Sequence, residues 1–434
     1  MQFRTLGLAL VALAMTACSD SSKTQNFTDT LRFATFHVDM AYDEAGGYDR
    51  LLNEVRATGS DASPRLQSIA AMIQQDYQGG RPDVLLLTGI SVDVRDTDTA
   101  SDAIIRNFQE NYLSKAQEAG LAGLSYPHIY VAATNSGQRF DEDIDVSGDG
   151  LVFPPEDRNG YGHYHGQNSF VLLSQYPLDV DGVRTFRDFN WRDVNGASKP
   201  SLGGGNVLGD EAWDALSIMD TNFVDLSLLL PDGRRVSLLL TQFESPMPRD
   251  LSERPRQRNR DQLQFLTDYI NEWDEGKYLR DDKGQPGGVA GNRPFVIMGR
   301  LQSDEDTAHF TVPYLDLDSY RWDSGNMRKL LSSYQIVSDG AINQDAPSSQ
   351  GGMLYGQEVE SGHTFAEIWT SMLGLRQDYV IPQRDLRIVE RGVFWPAVGE
   401  NGFEWFYDEQ GQPEPALGHL GRLTWIDIDF GQSG

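Results

Sequence analysis

Cysteine is nearly absent: Cys18 is the single one in 434 residues. No internal disulfide can form, so stability has to come from a packed core. Positive charge is scarce as well. Against 64 Asp and Glu stand 36 Lys and Arg, a formal net charge of −28. Non-specific binding to a phosphate backbone depends on Lys and Arg releasing counterions, and this balance argues against nucleic acid as a partner. The one long apolar run is N-terminal, and no segment repeats at a fixed period. Polytopic membrane and solenoid architectures therefore find no support. What is present is globular: 39% hydrophobic residues, with 8 Trp, 17 Tyr and 20 Phe, more than a disordered chain carries. The length fits one large domain or two medium ones.

Arg4 supplies a short basic start and Leu6 to Met15 an apolar stretch too short to span a bilayer. Met15-Thr16-Ala17-Cys18 resembles a bacterial lipobox, in which the cysteine is lipidated and becomes the first mature residue. Residues 1–18 are expected to be a signal peptide and residues 19–30, polar and rich in Ser and Thr, a flexible tether. The competing reading is an ordinary secretory signal with an incidental cysteine. A lipid at Cys18 implies a membrane partner and residence in the bacterial cell envelope; Ser19 after it points to the outer membrane.

From residue 31 onward apolar strands alternate with amphipathic helices. LRFATF (31–36), DVLLLT (83–88), HIYVAAT (128–134), SFVLLS (169–174), FVIMG (295–299), DYVIP (378–382), LRIVE (386–390) and RLTWIDI (422–428) read as strands. Pro231-Asp232-Gly233 turns FVDLSLLL (223–230) into RRVSLLLTQF (234–243). Ser63-Pro64 starts a helix bearing Leu66, Ile69, Ala70, Ile73 and Tyr77 on one face. Ala103 to Leu113 and Gln257 to Trp273 also read as helices, the latter with Leu263, Leu266 and Ile270 facing inward. Polar inserts at 135–166, 193–212, 274–293 and 341–376 read as loops on this scaffold, where function usually resides. No linker divides residues 31–430, so one domain is expected.

The order of these words resembles the endonuclease/exonuclease/phosphatase superfamily. LRFATFHVDM, RLQSIAAMIQQDYQGGRPDVLLLTG, GYGHYHGQNSFVLLSQYPL, RTFRDFNW, RQRNRDQLQFLTDYI, FVIMGRLQSD, DYVIPQRDLRIVERGVFWP and RLTWIDI carry the likeness by sequence and spacing together. It implies an α/β (α+β) fold: two stacked mixed β-sheets flanked by helices, a four-layer sandwich with the site at one edge. It also implies phosphoester cleavage, with a carboxylate-held divalent metal polarising the phosphoryl oxygen and a His–Asp pair managing protons.

The positions that would carry this chemistry depart from the family pattern. The family's first strand ends in Phe-Asn; here it is Phe36-His37. Its metal-binding Glu is replaced by Gly89, and the His of the central strand by Gln242. Its Gly-Asp-x-Asn reads Gly299-Arg300-Leu301-Gln302, and its Asp-His pair falls on Leu420-Gly421. Asp378 matches a family Asp that supports the site from behind. These losses imply a catalytically inactive member acting as a lipid-anchored binding or scaffolding protein. The alternatives are an active phosphodiesterase or nuclease with rearranged ligands, needing Mg²⁺, and a calcium-stabilised surface protein.

His37, Gln242, Arg300, Gln302 and His419 are expected to converge as a polar, partly cationic pocket for an anionic small molecule, or as a cleft filled by internal hydrogen bonds. The partner could equally be a protein. Asp143, Asp145, Ser147 and Asp149, with Gly148 at the turn, match the first half of an EF-hand-type loop for Ca²⁺. Pro154 stands where that loop needs an acid, which Glu156 or Asp157 would have to replace. His163 and His165 lack evident partner ligands and read as loop residues. The basic run Arg249 to Arg260 reads as a charged helix entry rather than a phosphate grip.

Overall fold

The structure, a computed structural model, describes residues 30–431 apart from 78, 95–99, 248–251, 272–275, 290, 292, 305–324, 334–335, 337–344, 359–364 and 408–420. The expected signal peptide, Cys18, nearly all of the tether, His419 and Leu420 lie outside the described residues.

Two large mixed sheets form the centre. The first contains, in spatial order, β12 (Arg387–Phe394), β13 (Leu423–Asp429), β1 (Thr30–Met40), β2 (Val84–Ile90), β4 (Ser169–Ser174) and β3 (His128–Val131). The second runs β11 (Asp378–Pro382), β10 (Phe295–Arg300), β9 (Arg235–Gln242), β8 (Phe223–Leu229) and β5 (Leu178–Thr185). Each sheet has one parallel pair at its heart, β1 with β2 and β9 with β10, and antiparallel partners outside it. A short hairpin, β6 (Ser201–Gly203) with β7 (Asn206–Val207), stands apart.

The period-2 pattern of the strands sorts side chains between the layers. Leu31, Phe33, Val84, Leu86, Phe170 and Leu172 join the core that the first sheet shares with the second. The alternate residues Ala34, Phe36, Leu85, Leu87, Val171 and Leu173 pack into the cluster formed by α1 (Gly47–Arg56), α2 (Pro64–Gln74) and α3 (Ala103–Phe108). On the second sheet's side, α5 (Arg254–Ile270) and α6 (Gly325–Leu331) supply Leu263, Phe265, Leu266, Met327 and Leu330 to the core. The layers are thus helices, sheet, sheet, helices. Two further helices are α4 (Asp210–Ala215), which begins at the end of the insert 193–212, and α7 (Gln350–Glu358), within the insert 341–376.

Local sequence explains the boundaries. Ser63 caps α2, its Oγ accepting from the Leu66 amide at 3.3 Å, with Pro64 in the first turn. The helix from Ala103 widens into a π turn over Gln109–Leu113. The insert 135–166 is less peripheral than its polarity suggests: Asn135, Ser136 and Asn159 are buried. Asn135 Nδ2 donates to the Arg187 and Met219 carbonyls at 2.7 and 2.9 Å, tying the insert to the second sheet's side.

Register brings six strand ends to one edge. His37 lies opposite Thr88 at the end of the parallel β1–β2 pair. Arg300 lies opposite Gln242 on one side and Asp378 on the other. Gly421 and Arg422 lead into β13 beside them, the Gly421 amide donating to the His37 carbonyl at 3.0 Å.

Candidate functional site

Gly89 decides the shape of this edge. Both ladders of β2 shift register around it, and its φ is 72°, a left-handed conformation natural to glycine. A Cβ added at Gly89 would lie 2.3 Å from His37 Cε1 and 2.8 Å from His37 Nδ1. The imidazole therefore occupies the space into which a side chain at this position would project. His37 is fixed there by its Nδ1, 3.1 Å from Thr88 Oγ1. Gly421 is crowded in the same way: its Cβ would meet His37 Cβ at 2.7 Å and Asp378 Oδ2 at 3.0 Å.

The opposite wall is polar and closed upon itself. Gln242 Oε1 accepts from the Gly89 amide at 2.7 Å, bridging the two sheets. Arg300 Nη1 donates to Asp378 Oδ2 at 2.8 Å and its Nη2 to Gln377 Oε1 at 2.9 Å. Thr370 Oγ1 donates to the same Asp378 oxygen at 3.1 Å. Gln377 Nε2 reaches Gln302 Oε1 at 2.7 Å. Gln302 sits at φ 60°, an uncommon conformation for a non-glycine residue. Thus His37, Gln242, Arg300, Gln302 and Asp378 converge, and among the described residues they make contact with one another's neighbours. Thr88, Thr370 and Gln377 complete the network; Gln377 adjoins Asp378 in the sequence, but nothing in its own pattern marks it as the bridge.

The charges are held in low dielectric. Burial pushes the Asp378 carboxyl above the usual carboxylate range, and the Arg300 guanidinium opposes that shift. Burial, reinforced by Arg300, pulls His37 well below its ordinary value, so the imidazole is neutral at neutral pH. Among the described residues, Arg300 Nε and Asp378 Oδ1 have no hydrogen-bond partner, so their pairing is incomplete. Behind them Arg422 stacks over Trp395 and Phe406 at 4.4 and 4.2 Å, and burial draws its guanidinium down to about 10.

Among the described residues, this donor set does not fit the divalent metal that the family implies. A hard cation needs anionic oxygens. Among the described residues the carboxylate in this network is Asp378: its Oδ2 is taken by Arg300 and Thr370, its Oδ1 has no partner, and the guanidinium beside it repels a second cation.

A different acidic group has ligand geometry. Asp145, Asp149 and Asp157 bring carboxylate oxygens within 4.8 Å of one another, a triad that could hold a metal ion. Asp157 is buried and its two oxygens accept from the Val146, Ser147 and Phe153 amides at 2.8–2.9 Å. Asp145 accepts from the Gly148 and Gly150 amides and from Ser147 Oγ. Asp143 points elsewhere, 3.5 Å from Arg139. His165 Nε2 lies 2.9 Å from the Thr134 carbonyl, and neither His163 nor His165 belongs to the acidic triad. In the basic run, Arg258 is an interior residue whose guanidinium donates to the Asn159, Ser217 and Ile218 carbonyls.

A model of the Endonuclease/Exonuclease/phosphatase family matches residues 41–299, more than half of the chain. Solved structures similar to the chain include an endonuclease/exonuclease/phosphatase from Beutenbergia cavernae, 15% identical, covering 93% of this chain and 72% of that one with a TM-score of 0.45. A family protein from Bacteroides thetaiotaomicron is 9% identical, covering 93% and 99% with a TM-score of 0.41. An AP endonuclease from Archaeoglobus fulgidus is 11% identical, covering 91% and 98% with a TM-score of 0.38. No curated protein matches the sequence. The chain belongs to the endonuclease/exonuclease/phosphatase family.

Proposed function

We propose that this chain is a catalytically silent member of its family, anchored in the bacterial envelope by a lipid on Cys18 and acting as a binding or scaffolding module. The observation that carries this reading is the His37 ring in the space of the side chain that Gly89 lacks. The Arg300–Asp378 pair supports it, since it commits the adjacent carboxylate to a cation of the protein's own. An active enzyme with rearranged ligands would need Mg²⁺ or Mn²⁺ at this edge, where the donors oppose it. Purified protein with either metal is expected to leave nucleic acid, phosphoinositide and aryl phosphodiester substrates intact. Turnover above background that disappears in Gln242→Ala contradicts the proposal. The anchor is tested separately: Cys18→Ser should move the protein from the membrane fraction to the soluble one, and unchanged partitioning refutes lipidation.

A second reading has its own support. Asp145, Asp149 and Asp157 together suit Ca²⁺, which accepts several carboxylate oxygens in flexible geometry. Calcium would then brace the loop over residues 143–157 rather than take part in chemistry. Calorimetric titration of Ca²⁺ should release heat that Asp145→Asn abolishes, and an absence of heat in the parent protein removes this reading.

A further inference from the structure

Away from the closed edge, the first two turns of α5 wall a cavity of about 200 Å³. Glu253, Arg256, Gln257 and Arg260 line it, spaced three, four and seven residues apart and so on one helix face. Ser201 of the β6–β7 hairpin closes one side, and Asn259 contributes to the lining. At its base Asn259 is tied to the interior, its Nδ2 donating to the Glu244 and Leu301 carbonyls at 2.8 and 3.0 Å. Gln257 Nε2 is held by the Ser198 carbonyl and, at 3.1 Å, by Ser198 Oγ.

The lining carries two cations and one anion, and Asp261 against Arg260 brings the local balance to zero in a chain whose net charge is −28. Arg256 is paired with Glu253. Arg260 gives its Nε and Nη2 edge to Asp261 Oδ1 at 2.9 and 2.8 Å, and among the described residues none accepts from its Nη1. Asp261 is itself buried and accepts from Trp191 Nε1 at 2.8 Å, so it fixes the position of the Arg260 guanidinium. The Arg256 and Arg260 side chains are 40% and 37% exposed, reachable yet restrained. Guanidinium N–H groups are directed donors that suit phosphate oxygens even where the same side chain also holds a carboxylate. The positive end of the 17-residue α5 adds to the field at its first turns.

We propose, in place of the plain helix entry expected from the sequence of this basic run, that the cavity binds a phosphate group, supplied either by a small phosphorylated molecule or by a lipid headgroup, with Arg256 and Arg260 as its two grips. The proposal goes beyond the silent-enzyme reading, because the cavity does not include His37, Gln242, Arg300 or Asp378. The test is a titration of the purified protein with inorganic phosphate, read by calorimetry and melting temperature, alongside flotation with phosphatidylglycerol vesicles and phosphatidylcholine controls. Binding in either arm is expected to weaken at least tenfold in R256Q/R260Q and to persist in His37→Gln. A response to free phosphate assigns the small-molecule source; a response to phosphatidylglycerol alone assigns the headgroup. R256K/R260K, which keeps charge but not the forks, should fall between the parent and R256Q/R260Q. No response in either arm, binding unchanged in R256Q/R260Q, or binding lost in His37→Gln overturns the proposal, the last by returning the ligand to the old cleft.

Discussion

Restoring even one carbon at Gly89 should be costly, and the cost should depend on His37. The backbone there is left-handed at φ 72°, which costs a non-glycine residue roughly 1–2 kcal/mol. The new Cβ would also fall 2.3 Å from His37 Cε1, and forcing atoms into a packed interior costs about 1–3 kcal/mol. Gly89→Ala is therefore expected to destabilise the fold by about 2–5 kcal/mol, the sum of those two ranges. The measurement is urea unfolding, comparing midpoints at an unchanged slope. In a His37→Ala background the ring is gone and only the backbone cost, roughly 1–2 kcal/mol, should remain. Gly421→Ala supplies an internal control. Its clash is with His37 Cβ at 2.7 Å, an atom that His37→Ala retains, so its cost should be the same in both backgrounds. Equal penalties for Gly89→Ala with and without the ring would refute the idea that His37 fills the vacated space.

Three further outcomes follow from the same structure. Asp378→Asn should destabilise by about 3–5 kcal/mol in chemical denaturation, because it strands the Arg300 charge in an interior where the two side chains are 7% and 0% exposed. The His37 imidazole, held below its ordinary value in the folded state, lets the unfolded chain bind the proton first. Stability should hold above about pH 6.5 and fall as pH drops below it, and His37→Gln should flatten that part of a pH series of melting temperatures. Asp157→Ala removes the acceptor of three backbone amides and should cost on the order of 2 kcal/mol while exposing residues 146–153 to limited proteolysis.

Much of the scaffold is legible in the sequence because its signals are local. DYVIP marks β11 from Asp378 to Pro382, and Ser63-Pro64 marks the start of α2. Other elements are written just as locally but less conspicuously. Tyr48, Leu51 and Val55 give α1 a buried face at helical spacing, yet the surrounding Gly and acidic residues mask it. Strand β5, LDVDGVRT, lies at a sheet edge, where exposure removes the apolar alternation that identifies a strand. The candidate site divides along the same line. The identity of residues at the strand ends can be read from motif order. That the His37 ring lies against Gly89, that Gln377 bridges Arg300 to Gln302, or that Asp157 rather than Asp143 joins Asp145 and Asp149 depends on contacts between segments far apart in the chain. The insert 135–166 misleads for a related reason: its polar residues are buried because they satisfy backbone groups of other elements, a role that composition does not reveal.

A silent enzyme requires that the edge where this fold would hold its metal be occupied by the protein's own side chains, as it is among the described residues. Anomalous diffraction from a crystal soaked in Mn²⁺ tests it most directly. No anomalous peak is expected within coordination distance of His37, Gln242 or Asp378, and the Arg300–Asp378 pair should stay intact. A Mn²⁺ ion coordinated by Asp378, with Arg300 displaced, would contradict it.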